Sequence, residues 1–100
     1  MDTILKKLSV NFTALTENSQ WFEPFNQATF FNYDRNNPVI INQGLVLPPA
    51  LFTGGIVYPT SFTVSLNALE VNSTNYSFDF SGSDSINLQI VYTQYLGINL

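Results

Sequence analysis

The side chains that most often perform chemistry are scarce in this chain. It has no histidine and no cysteine, which removes the common general base at neutral pH, the Ser-His and Cys-His nucleophile pairs and nearly all zinc sites. A glycosidase needs two carboxylates about 5–10 Å apart, and no spacing in the sequence singles out such a pair. We therefore predict a protein that is not an enzyme and holds no cofactor. The seven carboxylates are Asp2, Glu17, Glu23, Asp34, Glu70, Asp79 and Asp84.

Two oxygen-rich stretches contain ligand types that Ca²⁺ prefers. "DFSGSDS", residues 79–85, has two aspartates among serines, and "DRNN", residues 34–37, has one aspartate and two asparagines. Neither follows an established ligand spacing, and such side chains ordinarily bond the backbone in turns. Both stretches are interpreted as turns, and no metal site is predicted.

Aromatic side chains offer a different chemistry, stacking on sugar rings. "QWFEPFN" contains Trp21, Phe22 and Phe25, and exposed aromatic clusters usually mark an interface. A carbohydrate-binding or adhesion module that uses these residues and outward-facing tyrosines is therefore one hypothesis. Burial of the three side chains in the core or at one end of the fold is the alternative, which the sequence favours.

Composition argues against nucleic acid and for contact between proteins. The net charge is −4 and the basic residues number three, too few for the basic patch that phosphates require. Charged residues are 10% of the chain, against about 25% in an ordinary soluble domain. Because interface cores are depleted of charge, this composition favours a chain that packs against other chains.

Period-two alternation dominates the sequence, so strands must position these residues. "LSVNFTAL", "SFTVSLN", "YSFDF" and "INLQIVY" alternate apolar and polar side chains, as strands with one buried face do. Turn signals separate them at short intervals. One candidate helix, a turn or two at "DTILKKL", could equally begin the first strand. The sequence predicts one all-β domain over residues 1–100, an antiparallel β-sandwich or jelly-roll-like small barrel of about six to eight short strands.

Neither a signal peptide nor a membrane span is expected. "MDTILKKLSVNF" carries an acid and two lysines where a signal peptide needs an unbroken apolar stretch. No run in the chain approaches the roughly 20 apolar residues of a membrane-spanning helix.

Three parts of the chain are more apolar than one core face explains. Beside the turn at residues 34–38, "VII" has no polar break, so a second face needs cover. "LVLPPALFTGGIVYP", residues 45–59, is interpreted as a plug at one end of the sandwich, which is slightly favoured, or as a contact surface. The two ends, residues 1–8 and 96–100, are candidate arms on a neighbouring subunit, with pairing inside their own sheet as the alternative.

Part of this pattern is similar to a known group of proteins. "ATFFNYDRNNPVIINQGLVLPP" and "EVNSTNYSFDF", with a glycine-rich connection between them, resemble small β-sandwich structural proteins of bacteriophage virions, of the decoration, minor capsid, vertex or spike-base and tail-connector types. The likeness spans about residues 21–95 and rests on Asn/Thr/Ser-rich strands with few charges. It implies a virion protein, assembled in the host cytoplasm, that works by contact area and has no catalytic set.

Residues and resemblance together predict a homo-oligomeric virion protein that also contacts another capsid, vertex or tail protein. In a symmetric particle, neighbouring copies bury apolar outer positions and apolar ends. The residues predicted to form these contacts are Ile4, Leu5, Phe31, Tyr33, Ile40, Leu45, Leu47, Leu51, Phe52, Ile56, Tyr58, Ile98 and Leu100.

Overall fold

The structure is a computed structural model that describes residues 4–15, 19–42, 44–67, 70–80 and 88–99, with the backbone alone for residues 4–8 and 96–99. The described residues form strands and connections without a helix, which confirms the all-β prediction, and the described part of "DTILKKL" is strand. No helix in these ranges is long and apolar enough to cross a membrane. The strands are β1 (Ile4–Leu15), β2 (Ser19–Trp21), β3 (Gln27–Asn32), β4 (Val39–Ile41), β5 (Leu45–Leu47), β6 (Leu51–Thr53), β7 (Ile56–Tyr58), β8 (Thr60–Ser65), β9 (Tyr76–Asp79) and β10 (Leu88–Asn99).

Eight of these strands form two four-stranded antiparallel sheets. Sheet A has the order β1-β10-β3-β8 and sheet B the order β2-β9-β4-β5. Nearly every connection crosses between the sheets, and the first and last strands pair with each other, which is the double Greek key of a jelly roll. β6 and β7 form a separate hairpin between β5 and β8. The predicted strand number holds for the two sheets, but β1 and β10 are not short, at 12 residues each.

The core between the sheets is rich in aromatic rings. Trp21 stacks on Phe25 at 5.7 Å between ring centroids and meets Tyr92 edge-on at 5.1 Å. Phe30 lies 5.5 Å from both Tyr76 and Phe78. Tilted and edge-on contacts of this kind add to the free energy of burial. The other buried apolar side chains of this cluster are Ala28, Val39, Ile41, Leu47, Phe80, Leu88 and Ile90.

β1 presents the opposite face from the one that its alternation predicts for burial. Its register with β10 is unbroken from Ile4↔Asn99 to Leu15↔Leu88 and pairs Thr13 with the fully buried Ile90. Because paired residues project to the same face, the polar set of β1 faces inward. Val10 and Phe12 face solvent and are 59% and 74% exposed. A one-residue slip of β1 against β10 would exchange these two faces of β1.

The two chain ends pair with each other beyond the sandwich. β3 pairs with β10 only from Leu88 to Thr93, so residues 4–9 and 94–99 continue as a two-stranded ribbon. The ribbon is consistent with the elongated shape of the molecule, whose principal extents are 55 × 30 × 19 Å. At its base Asn11 donates to Gln94 Oε1 at 3.3 Å, and Gln94 donates to Glu23 Oε2 at 3.1 Å.

Candidate interaction surfaces

The hairpin, residues 51–58, is the most apolar exposed element of the described chain. Gly54 and Gly55 form its turn with φ of +59° and +78°, the left-handed pair that a two-residue type I′ turn requires and that favours glycine. Leu51, Phe52, Ile56 and Tyr58 are about half or more exposed, Leu51 at 65%. The interpretation of this segment as a plug is therefore wrong for the hairpin, whose large side chains face water.

Arg35 is the one basic side chain that the structure describes at the hairpin. Its guanidinium carbon lies 4.4 Å from the centroid of the Phe52 ring, a cation–π contact worth about 0.5–1 kcal/mol at an exposed site. The hairpin itself carries no charged residue. An uncharged partner surface fits the hairpin's own residues, because none of them carries a charge that burial would leave unpaired.

A buried asparagine fixes the base of the hairpin to the core. Asn32 is fully buried, and its Nδ2 donates to the carbonyl oxygens of Asn37, Leu47 and Pro48 at 3.0–3.3 Å. Its Oδ1 accepts from the backbone of Asp34 at 2.9 Å. One side chain thus links the end of β3 to the chain that enters the hairpin. The sequence did not single out this residue, since one asparagine among twelve carries no signal of burial.

The turn at residues 34–37 is held by its own aspartate. Asp34 Oδ1 accepts from the backbone N–H groups of Asn36 and Asn37 at 2.7 and 2.8 Å. The backbone carbonyl of Asp34 accepts from Ala50 at 2.6 Å, which joins the turn to the residue before β6. The interpretation of "DRNN" as a turn is confirmed.

The outer face of sheet A is the second exposed surface, and no side chain that the structure describes on it is charged. One row across the four strands runs Phe12, Val91, Thr29, Thr63, and the next runs Ala14, Gln89, Phe31, Ser61. Thr29 and Thr63 share a hydrogen bond of 2.9 Å between their hydroxyls. The predicted contact residue Phe31 lies here, half-buried, with its ring 6.3 Å from that of Tyr33. The remaining described members are Val10, Gln27, Ser65, Thr93 and Tyr95.

Sheet B contributes a smaller apolar patch. Ile40 pairs with Val46 across β4 and β5 and is half-buried, on the opposite face from Val39 and Ile41. Ile40, one of the predicted contact residues, is thus the residue of "VII" that lies on the outer face. Leu45 is exposed at the edge, but Leu47 is 4% exposed and belongs to the core. The prediction of Leu47 as a contact residue is wrong, because β5 turns this side chain inward.

Of the three residues predicted to stack on sugars, two are buried in the core and one is exposed. Trp21 is 8% exposed and Phe25 is fully buried, each packed against the other's ring. Neither ring offers a free face, so their assignment to a stacking platform is wrong, and the alternative interpretation as core residues holds. Phe22 alone of the three is exposed.

Four predicted contact residues lie in the terminal ribbon or beyond it. Ile4 pairs with Asn99 and Leu5 with Ile98 in the backbone register of β1 and β10. Their side chains, and the whole of Leu100, lie outside the described residues. The pairing of the two ends corresponds to the alternative in which the ends pair inside their own sheet.

The described acidic residues do not assemble into a site. No group of three or more carboxylates able to hold a metal ion occurs in the ranges that the structure describes. Asp79 is exposed on β9, and the rest of "DFSGSDS" from residue 81 lies outside those ranges. Glu23 lies near Tyr92, whose pKa is raised by burial and, to a lesser extent, by the negative charge of that carboxylate. Burial alone raises the pKa of Tyr76.

Two exposed residues on β1 were not predicted as contact residues. The alternation of Val10 and Phe12 was visible in the sequence, but alternation does not say which face turns inward.

No family model, curated protein or solved structure matches the chain. Function must therefore be argued from the surfaces themselves.

Proposed function

We propose that this chain is a non-enzymatic structural subunit of a virion, which assembles with copies of itself and contacts another capsid, vertex or tail protein. The observation that carries the proposal is a pair of exposed surfaces, the hairpin and the outer face of sheet A, whose described residues carry no charge of their own; Arg35 lies beside the first. The outer face of sheet A mixes apolar side chains with threonine, serine and glutamine, whereas the hairpin is apolar over most of its length. Monomeric soluble proteins rarely expose contiguous apolar surface such as that of the hairpin. Contact with a neighbouring subunit removes this apolar surface from water, and the burial contributes about 25 cal/mol of favourable free energy per Å² of apolar area.

The location of the two surfaces supports assembly in more than one direction. The hairpin projects from the connection between β5 and β8, whereas the outer face of sheet A spreads over β1, β10, β3 and β8. A subunit with two separate contact surfaces can bind a copy of itself through one and a different protein through the other.

The assignment to a virion has a different basis from the assignment to an assembly. Jelly rolls occur in viral capsid proteins but also in lectins and cupins, and a fold does not specify a function. The virion assignment rests on the resemblance over residues 21–95 and on the low charge of the chain. The carbohydrate-binding alternative is not proposed, since two of its three stacking residues lie in the core.

Assembly is tested by light scattering on a sizing column over a hundredfold range of protein concentration. We expect the wild-type chain to elute as an oligomer and the double variant Leu51→Ser, Ile56→Ser to assemble less. Phe22→Ser is the matched control, because it removes one exposed apolar side chain distant in sequence from the hairpin. A wild-type monomer at every concentration contradicts self-assembly.

The virion assignment is tested by quantitative mass spectrometry of particles purified from the native source of the sequence. We expect the chain in fixed stoichiometry with other particle proteins. Its absence from the particles contradicts a virion role and leaves the oligomer measurement unaffected.

A further inference from the structure

The free edge of β1 is unusually long. Among the strands that the structure describes, β1 pairs only with β10, and it extends over 12 residues. The other edge strands, β8, β2 and β5, have six, three and three residues. Shortness is one ordinary protection of a sheet edge against pairing with another chain, and β1 does not have it.

The other protections are also missing from most of this strand. The register of β1 with β10 is unbroken, so the strand has no bulge. Lys6 and Lys7 place two positive charges near the start of the strand, but residues 8–15 contain no charged residue, proline or glycine. Long, apolar and regular edges without such features pair readily with a further strand.

The chemistry of an edge identifies the partner as an extended strand. Backbone N–H and C=O groups alternate along the free side and are matched best by another strand's groups. Val10 and Phe12 flank this edge on the outer face of sheet A and are largely exposed. A second strand beside them would cover both the backbone groups and part of these side chains.

We infer that β1 pairs antiparallel with β1 of a second copy, across a twofold axis at Asn11, and so joins two sheets A into one eight-stranded sheet. This contact is one of the copy-to-copy contacts of the proposed assembly, beside that of the hairpin, and it rests on that proposal. A twofold axis gives each copy the same surface. Antiparallel pairing also keeps the lysines at the start of one strand away from those of the other, whereas parallel pairing would align them.

The position of the axis follows from the faces and charges of β1. A continuous sheet requires outer residues to oppose outer residues, so the axis lies at a residue and not between two. An axis at Asn11 sets Val10 opposite Phe12 of the other copy, twice, as aromatic and β-branched pairs that stabilise sheets. Residues 7–15 then pair, and Lys6 stays outside. An axis at Val10 would bring Lys6 into the paired stretch, and one at Phe12 would shorten the pairing to residues 9–15.

Single cysteines test the axis, because the chain has no cysteine of its own. In the Asn11→Cys variant the two cysteines face each other across the axis at a Cα separation of about 5 Å, within the range for a disulfide. Thr13→Cys is the matched control on the same inward face and strand, since its two copies would lie about 13 Å apart along the strand. We expect mild oxidation to convert Asn11→Cys to a covalent dimer about tenfold faster than Thr13→Cys. Equal rates for the two variants overturn the proposed register.

Two lysine variants test whether the edge, and not the whole face, makes the contact. Phe12→Lys places a charge at the pairing edge and is expected to abolish the fast cross-linking of Asn11→Cys and to reduce the oligomer. Ser61→Lys places the same charge on the same face at the opposite edge strand and is expected to leave both unchanged. An oligomer of unchanged size in Phe12→Lys overturns the edge contact while self-assembly stands. A wild-type monomer at every concentration contradicts the proposed assembly itself.

Discussion

The hairpin at residues 51–58 and the aromatic core around Trp21 are made of the same kinds of side chains and have opposite relations to water. Phe30 is fully buried between the two sheets, whereas Phe52 is about half exposed under Arg35. Both rings belong to short strands of the same chain. The difference is that the core strands have a second sheet to pack against and the hairpin has none.

This contrast teaches that apolar content alone does not determine burial in a small β domain. A two-stranded hairpin is at best marginally stable by itself, and this one is held at its base by Asn32 and the turn at residues 34–37. Its apolar side chains therefore add little to folding of the single chain. They remain available for a neighbour, which is the property that the proposed function uses.

The largest expected effect compares the same substitution in the two regions. Phe30→Ala should lower the free energy of unfolding by about 3–5 kcal/mol, because it opens a cavity among Trp21, Tyr76 and Phe78. Phe52→Ala should lower it by no more than about 1 kcal/mol, mostly through loss of the contact with Arg35. Urea denaturation at low protein concentration measures both. Equal losses in the two variants would show that the hairpin contributes to the core after all.

Asn32 connects the two regions, and its loss should have the next largest effect. Asn32→Leu removes the donor to three carbonyl oxygens and the acceptor for Asp34 N–H, and buried polar groups left unpaired cost about 1–3 kcal/mol. We expect lower stability together with faster amide hydrogen exchange in residues 51–58. Asn67→Leu, at an exposed position, is the control and should affect exchange in the hairpin little. Unchanged exchange in Asn32→Leu would contradict the anchoring role.

Substitution of Gly55 is expected to loosen the hairpin more than the core. Its φ is +78°, and a Cβ added at this glycine would have open space around it, with no atom within 4 Å. Gly55→Ala therefore meets strain in the backbone and not a clash. A left-handed alanine costs about 1–2 kcal/mol, which should loosen the hairpin in hydrogen exchange while the transition of the core changes less. Gly55→Asn should loosen it less, since asparagine tolerates this conformation better. Equal effects of alanine and asparagine would argue against strain as the cause.

The smallest expected effect is alkaline loss of stability from the core tyrosines. The pKa values of Tyr76 and Tyr92 are raised by burial, with Glu23 adding to the second. A raised pKa in the folded state means that the folded chain holds the proton more tightly. The stability from this source is complete below the ordinary tyrosine pKa of about 10 and is lost as pH rises through the folded-state pKa. Denaturation across this range should show a smaller alkaline loss for Tyr92→Phe than for the wild-type chain.

Much of the fold could be predicted from local pattern. The stretches "SFTVSLN", "YSFDF" and "INLQIVY" alternate with the period of a strand, and the structure places strands over each of them. The turn at Asp34 also followed from residue type, because an aspartate bonds the backbone two and three residues ahead. These features depend on neighbours in sequence, which is why sequence alone identified them.

Less of the candidate site could be predicted, because it depends on residues distant in sequence. Leu47 was predicted as a contact and is core, whereas Phe12 was not predicted and is the most exposed large apolar side chain of the described chain. Trp21 and Phe25 were candidates for a platform that stacks on sugars, but their rings pack against each other in the core. In each case the deciding fact is which side of a strand the opposite sheet covers.

The sequence by itself determined the all-β class, the approximate strands, the scarcity of catalytic side chains and the low charge of the surface, since these follow from residue types and their spacing. Only the tertiary structure decided the jelly-roll strand order, the outward face of β1 and the projection of the hairpin. The physical reason is that a strand has two equivalent faces. Which of them turns inward depends on the register with a neighbouring strand that is distant in sequence, and here the pairing of Thr13 with Ile90 turns Val10 and Phe12 outward.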